Sequence, residues 1–272
     1  MAKIYHYTSI ETLALILENK KIRFNRLDYV DDVEESCYSS GSFNTQLGHY
    51  VFVSCWTRNS EENLALWNMY TNYKGVRIGI DEDLFITTEQ GLRKDFFTLP
   101  KDIKDCESII GQNKIELYPI QYVKNPEDEI KSAISSININ DNESGIHILL
   151  NKIGVFKRIH WSIQQESRFK IVVAPSTDEK IKIPLNQNLL YSLFETIITS
   201  QRKFLVDMLN NKPIKTTFID IPFNAEKLNS LEIVIGPQST EGEKLIVKKL
   251  LQDYPEATIS SSIFSGKIRK KN

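Results

Sequence analysis

The sequence predicts an α+β fold, and three observations carry that prediction. Short β-branched and aromatic runs recur along the chain, amphipathic helical patterns stand between some of them, and the two do not alternate regularly. With 272 residues the chain suits one large domain, with a possible insertion over about 82–158. Hydrophobic residues make up 41% and charged residues 25%, close to globular averages, so a substantial core is within reach. The net charge of -1 removes any overall electrostatic case for binding nucleic acid or a membrane surface.

The first element is the strand pattern Lys3-Ile4-Tyr5-His6-Tyr7-Thr8-Ser9, which runs straight into a helix. Thr8 and Glu11 have capping-box spacing, and Ile10, Leu13, Ala14 and Leu17 recur at helical intervals. Lys21-Ile22-Arg23-Phe24 reads as a second strand, and the acidic stretch from Leu27 to Glu35 as a loop. Tyr50-Val51-Phe52-Val53-Ser54-Cys55-Trp56 is apolar almost throughout, as expected of a strand buried on both faces. Ser60 and Asn63 flank the start of a helix carrying Leu64, Trp67 and Tyr70. Gly75 to Asp81 alternates as a strand.

Residues 82–114 give loops and short pieces, and Ile115 to Val123 gives a strand. Residues 126–158 read as mostly helical, broken at Asn138 to Asn142. Gln164 to Val173 is a strand of alternating polar and apolar positions, with Ile181-Lys182-Ile183 as a candidate partner. Leu189 to Leu209 reads as a helix. Thr216 to Ile221, Leu231 to Ile235 and Ala257 to Phe264 read as strands. Between the last two, Thr240 and Glu243 cap a helix carrying Ile246, Val247, Leu250 and Leu251.

Cys37, Cys55 and Cys106 have no paired spacing, which argues against zinc or a disulfide framework and suits a reducing, cytoplasmic setting. No apolar leader or membrane-spanning run is present, and the basic tail Lys267-Ile268-Arg269-Lys270-Lys271 reads as a solvated end. Glycine-rich phosphate loops of the common spacings are missing. Asp31, Asp32, Glu34 and Glu35 lack a ligand comb, so no metal site is expected and a solvated or capping loop is. His49, His147 and His160 read as structural, Ser54 lacks a nucleophile elbow, and Cys55 has no histidine nearby in sequence.

Strand parity places Gln164, Glu166, Arg168 and Lys170 on one face. The plain reading is a solvated edge-strand face. The sharper one is a carboxylate held ionised between cations, with Lys157 and Arg158 close upstream. Trp56, Trp67 and Tyr70 read either as core aromatics or as a stacking platform for a planar ring.

Several separated motifs then match one pattern in order: Tyr5-His6-Tyr7-Thr8-Ser9, Asp31-Asp32 to Glu35, Phe52-Val53-Ser54-Cys55-Trp56-Thr57, Leu66-Trp67-Asn68-Met69-Tyr70-Thr71, Lys74 to Asp81, Glu166-Ser167-Arg168-Phe169, and Glu232 to Pro237. Together they resemble the bacterial family called domain of unknown function 2971 across nearly the whole chain. One departure is Asp31-Asp32-Val33, where that family usually has Asn-Asp-Pro. The family in turn looks like a distant member of the ADP-ribosyltransferase fold, with split antiparallel β-sheets, flanking helices and NAD in the cleft between them. The resemblance implies that His6, with Tyr7 and Thr8 beside it, binds the cofactor's ribose. It implies that Tyr70, Trp67 or Trp56 stacks on nicotinamide, that Ser54 is the middle-motif serine, and that Arg168 adjoins the cofactor. Glu166 would steady the charge that develops on the ribose, and Gln164 would position the acceptor.

The expected activity is therefore transfer of ADP-ribose from NAD to a protein or nucleic-acid acceptor, as in bacterial toxins or phage-defence effectors. Rivals are NAD glycohydrolysis, a non-catalytic nucleotide-binding or regulatory module, and an RNA 2'-phosphotransferase, whose basic anchor residues are not evident.

Overall fold

A ten-stranded, mostly antiparallel sheet carries helices and turns, so the molecule is α+β. The computed structural model describes residues 2–36, 39–40, 43–44, 46–85, 88–90, 93–96, 99–108, 114–131, 134–140, 143–176 and 203–269. The sheet strands are β1 (Lys3–Thr8), β2 (Lys21–Arg26), β3 (Val51–Thr57), β4 (Val76–Asp81), β5 (Cys106–Ser108) and β6 (Glu116–Pro119). A separate two-stranded parallel pair follows, β7 (Gln121–Val123) and β8 (Phe156–Arg158). The sheet resumes with β9 (Glu166–Pro175), β10 (Phe218–Pro222), β11 (Glu232–Ile235) and β12 (Thr258–Ser261). Its main order is β6-β9-β3-β1-β4-β11-β12; β2 and β10 branch from β3, and β5 pairs with β9.

Helix α1 (Ile10–Asn19) is capped by Ser9, one residue later than the capping-box spacing suggests. The Ser9 hydroxyl accepts from the Thr12 N–H at 3.1 Å. Asn63 caps α2 (Leu64–Thr71) by accepting from Ala65 and Leu66. Helix α3 is the short Pro126–Lys131. Residues 203–209 are helical, while the rest of the expected helix from 189 and the Ile181–Ile183 strand lie outside the described residues. The expected capping box between Thr240 and Glu243 opens α4 (Glu241–Leu250). Leu13 and Leu17 of α1 join Phe24, Phe52, Ile78 and Phe169 in the main core. Each such side chain, on leaving water, contributes ~1.5–3 kcal/mol. Gly75 (φ +69°) lets the chain turn tightly against β1, because a Cβ there would sit 2.4 Å from the Thr8 carbonyl oxygen.

Four further sequence expectations need correction. Residues 126–158 are helical only over α3; a hairpin of Ile134–Asn140 and Glu143–Ile148 follows. Alternating isoleucines favour a strand, and Asn138 to Asn140, read as part of a helix break, belong to it. The expected strand at 115–123 is cut at Ile120, whose N–H donates to the Glu166 carbonyl while the next three residues leave to pair with β8. The expected strand from Gln164 starts instead at Glu166. Gln164 ends a 3-10 turn, Ile159–Gln164, which Gln165 closes in the left-handed conformation. All ten residues of β9 are buried, so its charged face is not a solvated edge.

The sheet opens between β1 and β2. Strand β3 pairs with β2 at Val53 and Phe52, and with β1 at Thr57. Ser54, Cys55 and Trp56 pair with β9 on one edge and with neither β1 nor β2 on the other. No helix among the described residues is long and apolar enough to cross a membrane.

Candidate active site

The opening in the sheet is lined from both sides. A cleft of about 440 Å³ runs between α1, β2 and the unpaired edge of β3, walled by His6, Thr8, Ser54, Trp56 and Tyr70 among others. Behind it lies a pocket of about 50 Å³, lined by His6, Tyr7, Trp56, Tyr70, Gln164 and Glu166 among others. Tyr5 and Glu166 both align with Thr57, so parity puts them on one face of the sheet and His6 on the other. His6 and Glu166 nevertheless wall the same pocket, because β1 and β3 separate beyond their shared pair.

On the β1 side the groups are neutral. His6 Nδ1 lies 2.8 Å from the Cys55 carbonyl, which can only accept, so Nδ1 carries the proton. Burial holds the His6 pKa below its ordinary value despite that bond, so the ring is neutral near pH 7 and Nε2 is an acceptor. Its ring packs on Trp56 with centroids 5.0 Å apart. The Trp56 indole N–H donates to the Ser54 hydroxyl at 3.0 Å, which fixes the indole plane. Tyr7 packs edge-on against Trp67 at 4.9 Å, and its hydroxyl accepts from the Asn63 N–H. Trp67 is fully buried, donates to Glu62, and lines neither cavity, so it supports Tyr7 from behind.

On the β9 side the groups are charged. Glu166 Oε2 accepts from Lys157 Nζ at 2.7 Å, and Oε1 accepts from Arg168 Nε at 2.8 Å. Arg168 also binds Glu35, and Lys157 Nζ lies 3.1 Å from the other Glu35 oxygen. These four side chains are almost wholly buried, two anions against two cations. Their carboxyls differ. Burial pushes Glu35 up, against the pull of Arg168 and Lys157. Burial also opposes ionisation of Glu166, but Arg168 and Lys157 outweigh it and hold that carboxyl below its ordinary value.

Gln164 joins the two sides. Its Oε1 accepts from Lys157 at 2.8 Å, and its Nε2 donates to Tyr70 Oη at 2.9 Å and to Asp31 at 3.2 Å. The Tyr70 hydroxyl donates to Asp31 at 3.1 Å, and burial followed by the Asp31 charge raises its pKa. Tyr70 therefore stands between cleft and pocket, half exposed and bonded at its tip.

Of the residues singled out in the sequence, His6, Tyr7, Trp56, Tyr70, Gln164 and Glu166 meet at the pocket, while Thr8 and Ser54 line the cleft. Arg168 lines neither and serves as a buried counter-ion. Sequence reasoning missed the reach of Lys157, the approach of Tyr122 to the Glu166 backbone N–H at 2.7 Å, and the burial of Glu35. Glu35 looked like part of a solvated loop, and only its place in the Asp31–Glu35 motif singled it out. Among the described residues no cluster of three or more His, Cys, Asp or Glu side chains is placed to hold a metal ion. Comparison with family models, curated proteins and solved structures gives no match to the chain.

Proposed function

We propose that the chain is a divergent ADP-ribosyltransferase-like domain that binds NAD in the cleft and cleaves its nicotinamide–ribose bond at the pocket. ADP-ribose then passes to a protein or nucleic-acid acceptor. The observation that carries this reading is the convergence of His6, Trp56, Tyr70 and Glu166 on one pocket at the point where the sheet opens. The cavities fit a ligand whose bulk lies in the cleft: its 440 Å³ falls within the usual ~300–1,000 Å³ of small-molecule sites, and the 50 Å³ pocket takes the reacting end once Tyr70 turns aside.

NAD supplies a ribosyl carbon bonded to a cationic pyridinium, a bond whose electron pair leaves with neutral nicotinamide. The Glu166 carboxylate, kept ionised by its two cations, lines the pocket and is the anion assigned to the positive charge left on the sugar, and its effect grows towards the transition state. No general acid is needed, which agrees with a pocket whose histidine is neutral. His6 Nε2 accepts from a ribose hydroxyl. Trp56 and Tyr70 offer ring faces, and Tyr70 must turn from Asp31 to admit a ring to the pocket.

A second reading, a nucleotide-binding module without catalysis, is favoured by one observation: both Glu166 oxygens already accept from buried cations. Incubation with labelled NAD separates the two, with lysate protein, RNA and DNA offered as acceptors. Nicotinamide release with label transfer supports the transferase. Release without transfer points to hydrolysis, and binding without release to the module. Absence of both binding and release overturns the NAD reading.

A further inference from the structure

The β7/β8 pair stands outside the main sheet, yet two of its side chains reach Glu166. Tyr122 and Lys157 are register partners across this parallel pair. The Tyr122 hydroxyl accepts the Glu166 backbone N–H at 2.7 Å. Lys157 Nζ donates to Glu166 Oε2 at 2.7 Å and to Gln164 Oε1 at 2.8 Å, and stands 3.1 Å from Glu35 and 3.7 Å from Asp31. One ammonium thus holds the pocket carboxylate and the amide that is bonded to Tyr70. The break at Ile120 turns the chain out of the sheet and brings Tyr122 alongside Lys157 at this point.

We propose that Lys157 and Tyr122 are positioning residues: the β7/β8 pair is a clamp that fixes the Glu166 carboxylate towards the pocket and sets the Gln164 amide so that it holds Tyr70. This rests on the proposed catalytic role of Glu166. The charged and titratable groups facing Glu166 are Arg168 on its own strand, Cys55 on β3, Tyr70 on α2, Glu35 from the acidic loop, and Lys157 and Tyr122 from the clamp. Removing Lys157 alone leaves a buried net negative charge and endangers folding. The double variant Lys157→Met/Glu35→Gln keeps the cluster neutral, since Arg168 and Glu166 remain as a pair.

The test has two readouts on folded protein. The first is the carboxyl titration of Glu166 by 13C NMR with labelled glutamate, using Glu166→Gln to assign the signal. The second is the pH profile of nicotinamide release. In the double variant Glu166 should titrate at least one pH unit higher than in wild type, and the acid limb of release should move up with it. Lys157→Arg should restore most of both. Tyr122→Phe should lower kcat about tenfold or more with KM for NAD within about threefold, since it removes one ~1.5 kcal/mol hydrogen bond to the Glu166 backbone. An unmoved Glu166 titration in the double variant overturns the clamp. If the titration moves but the wild-type protein releases no nicotinamide, the clamp stands and the proposed reaction falls.

Discussion

The His6 wall and the Glu166 wall of the pocket face each other but are built on different physics. On the first, neutral groups bond in separate pairs: His6 to the Cys55 carbonyl, Tyr7 to the Asn63 N–H, and the Trp56 indole to the Ser54 hydroxyl. On the second, four buried charges from three segments meet in one network, with Arg168 and Glu35 separated by 133 positions. A neutral wall loses one modest interaction at a time. A buried charge network fails as a unit, because removing one ion leaves another uncompensated in a low dielectric.

The largest expected effect tests that contrast directly. Arg168→Met should lower stability in urea by ~3–5 kcal/mol, as breaking a buried ion pair does. His6→Ala should lower it by under ~2 kcal/mol. Equal losses would erase the distinction between the walls. Next, Glu166→Gln leaves Lys157 and Arg168 against Glu35 alone and should lower stability as well; on folded protein it should reduce nicotinamide release by ~10²–10³-fold, in line with loss of one electrostatic stabiliser, while NAD affinity stays within about threefold. Wild-type release rates in that variant would end the role given to Glu166.

The walls should also separate along the pH axis. The folded pKa of His6 lies below 6.5, so the unfolded chain binds its proton first. Stability from this source is full above that value and drains away as pH falls through the lower folded value. The folded pKa of Glu166 lies below 4.5, so its contribution is present above that pH and is lost only as pH falls further. Urea unfolding across pH 3–7.5 should show two windows, the upper removed by His6→Asn and the lower by Glu166→Gln. A single shared window would mean that the two walls titrate as one. The smallest effect is expected at the partition between cleft and pocket. Tyr70→Phe loses the hydroxyl bonds to Asp31 and Gln164 and should change stability by only ~0.5–1.5 kcal/mol, read by the same unfolding curves.

How much of the site was legible varies wall by wall. His6, Tyr7 and Thr8 sit where a strand runs straight into a capped helix, a contiguous signal, but only the family resemblance marked them as site residues. Trp56 and Ser54 sit on the strand with the clearest β pattern, and it forms as expected. Glu166 and Arg168 were legible as an alternating charged pair, but parity alone left open whether they face water or protein. Gln164 was placed on a strand that begins two residues later, and it reaches its neighbours from a 3-10 turn instead. Lys157 was legible as a cation upstream of Glu166 and Glu35 as part of the acidic stretch, but their contacts were not, and Tyr122 carried no mark, since nothing local marks a side chain whose partners lie in other segments.

By itself the sequence determined the α+β class, the strands β1, β3 and β4, and the caps at Asn63 and Thr240. Those features follow from side-chain period and from hydrogen bonds spanning a few residues. Only the tertiary structure decided that β3 changes partner between Val53 and Thr57, that the chain breaks at Ile120, and that the charges of β9 are buried. The physical reason is that burying a charge depends on where its counter-ion sits, and the counter-ions Glu35 and Lys157 arrive only when the acidic loop and the β7/β8 pair close over the same strand.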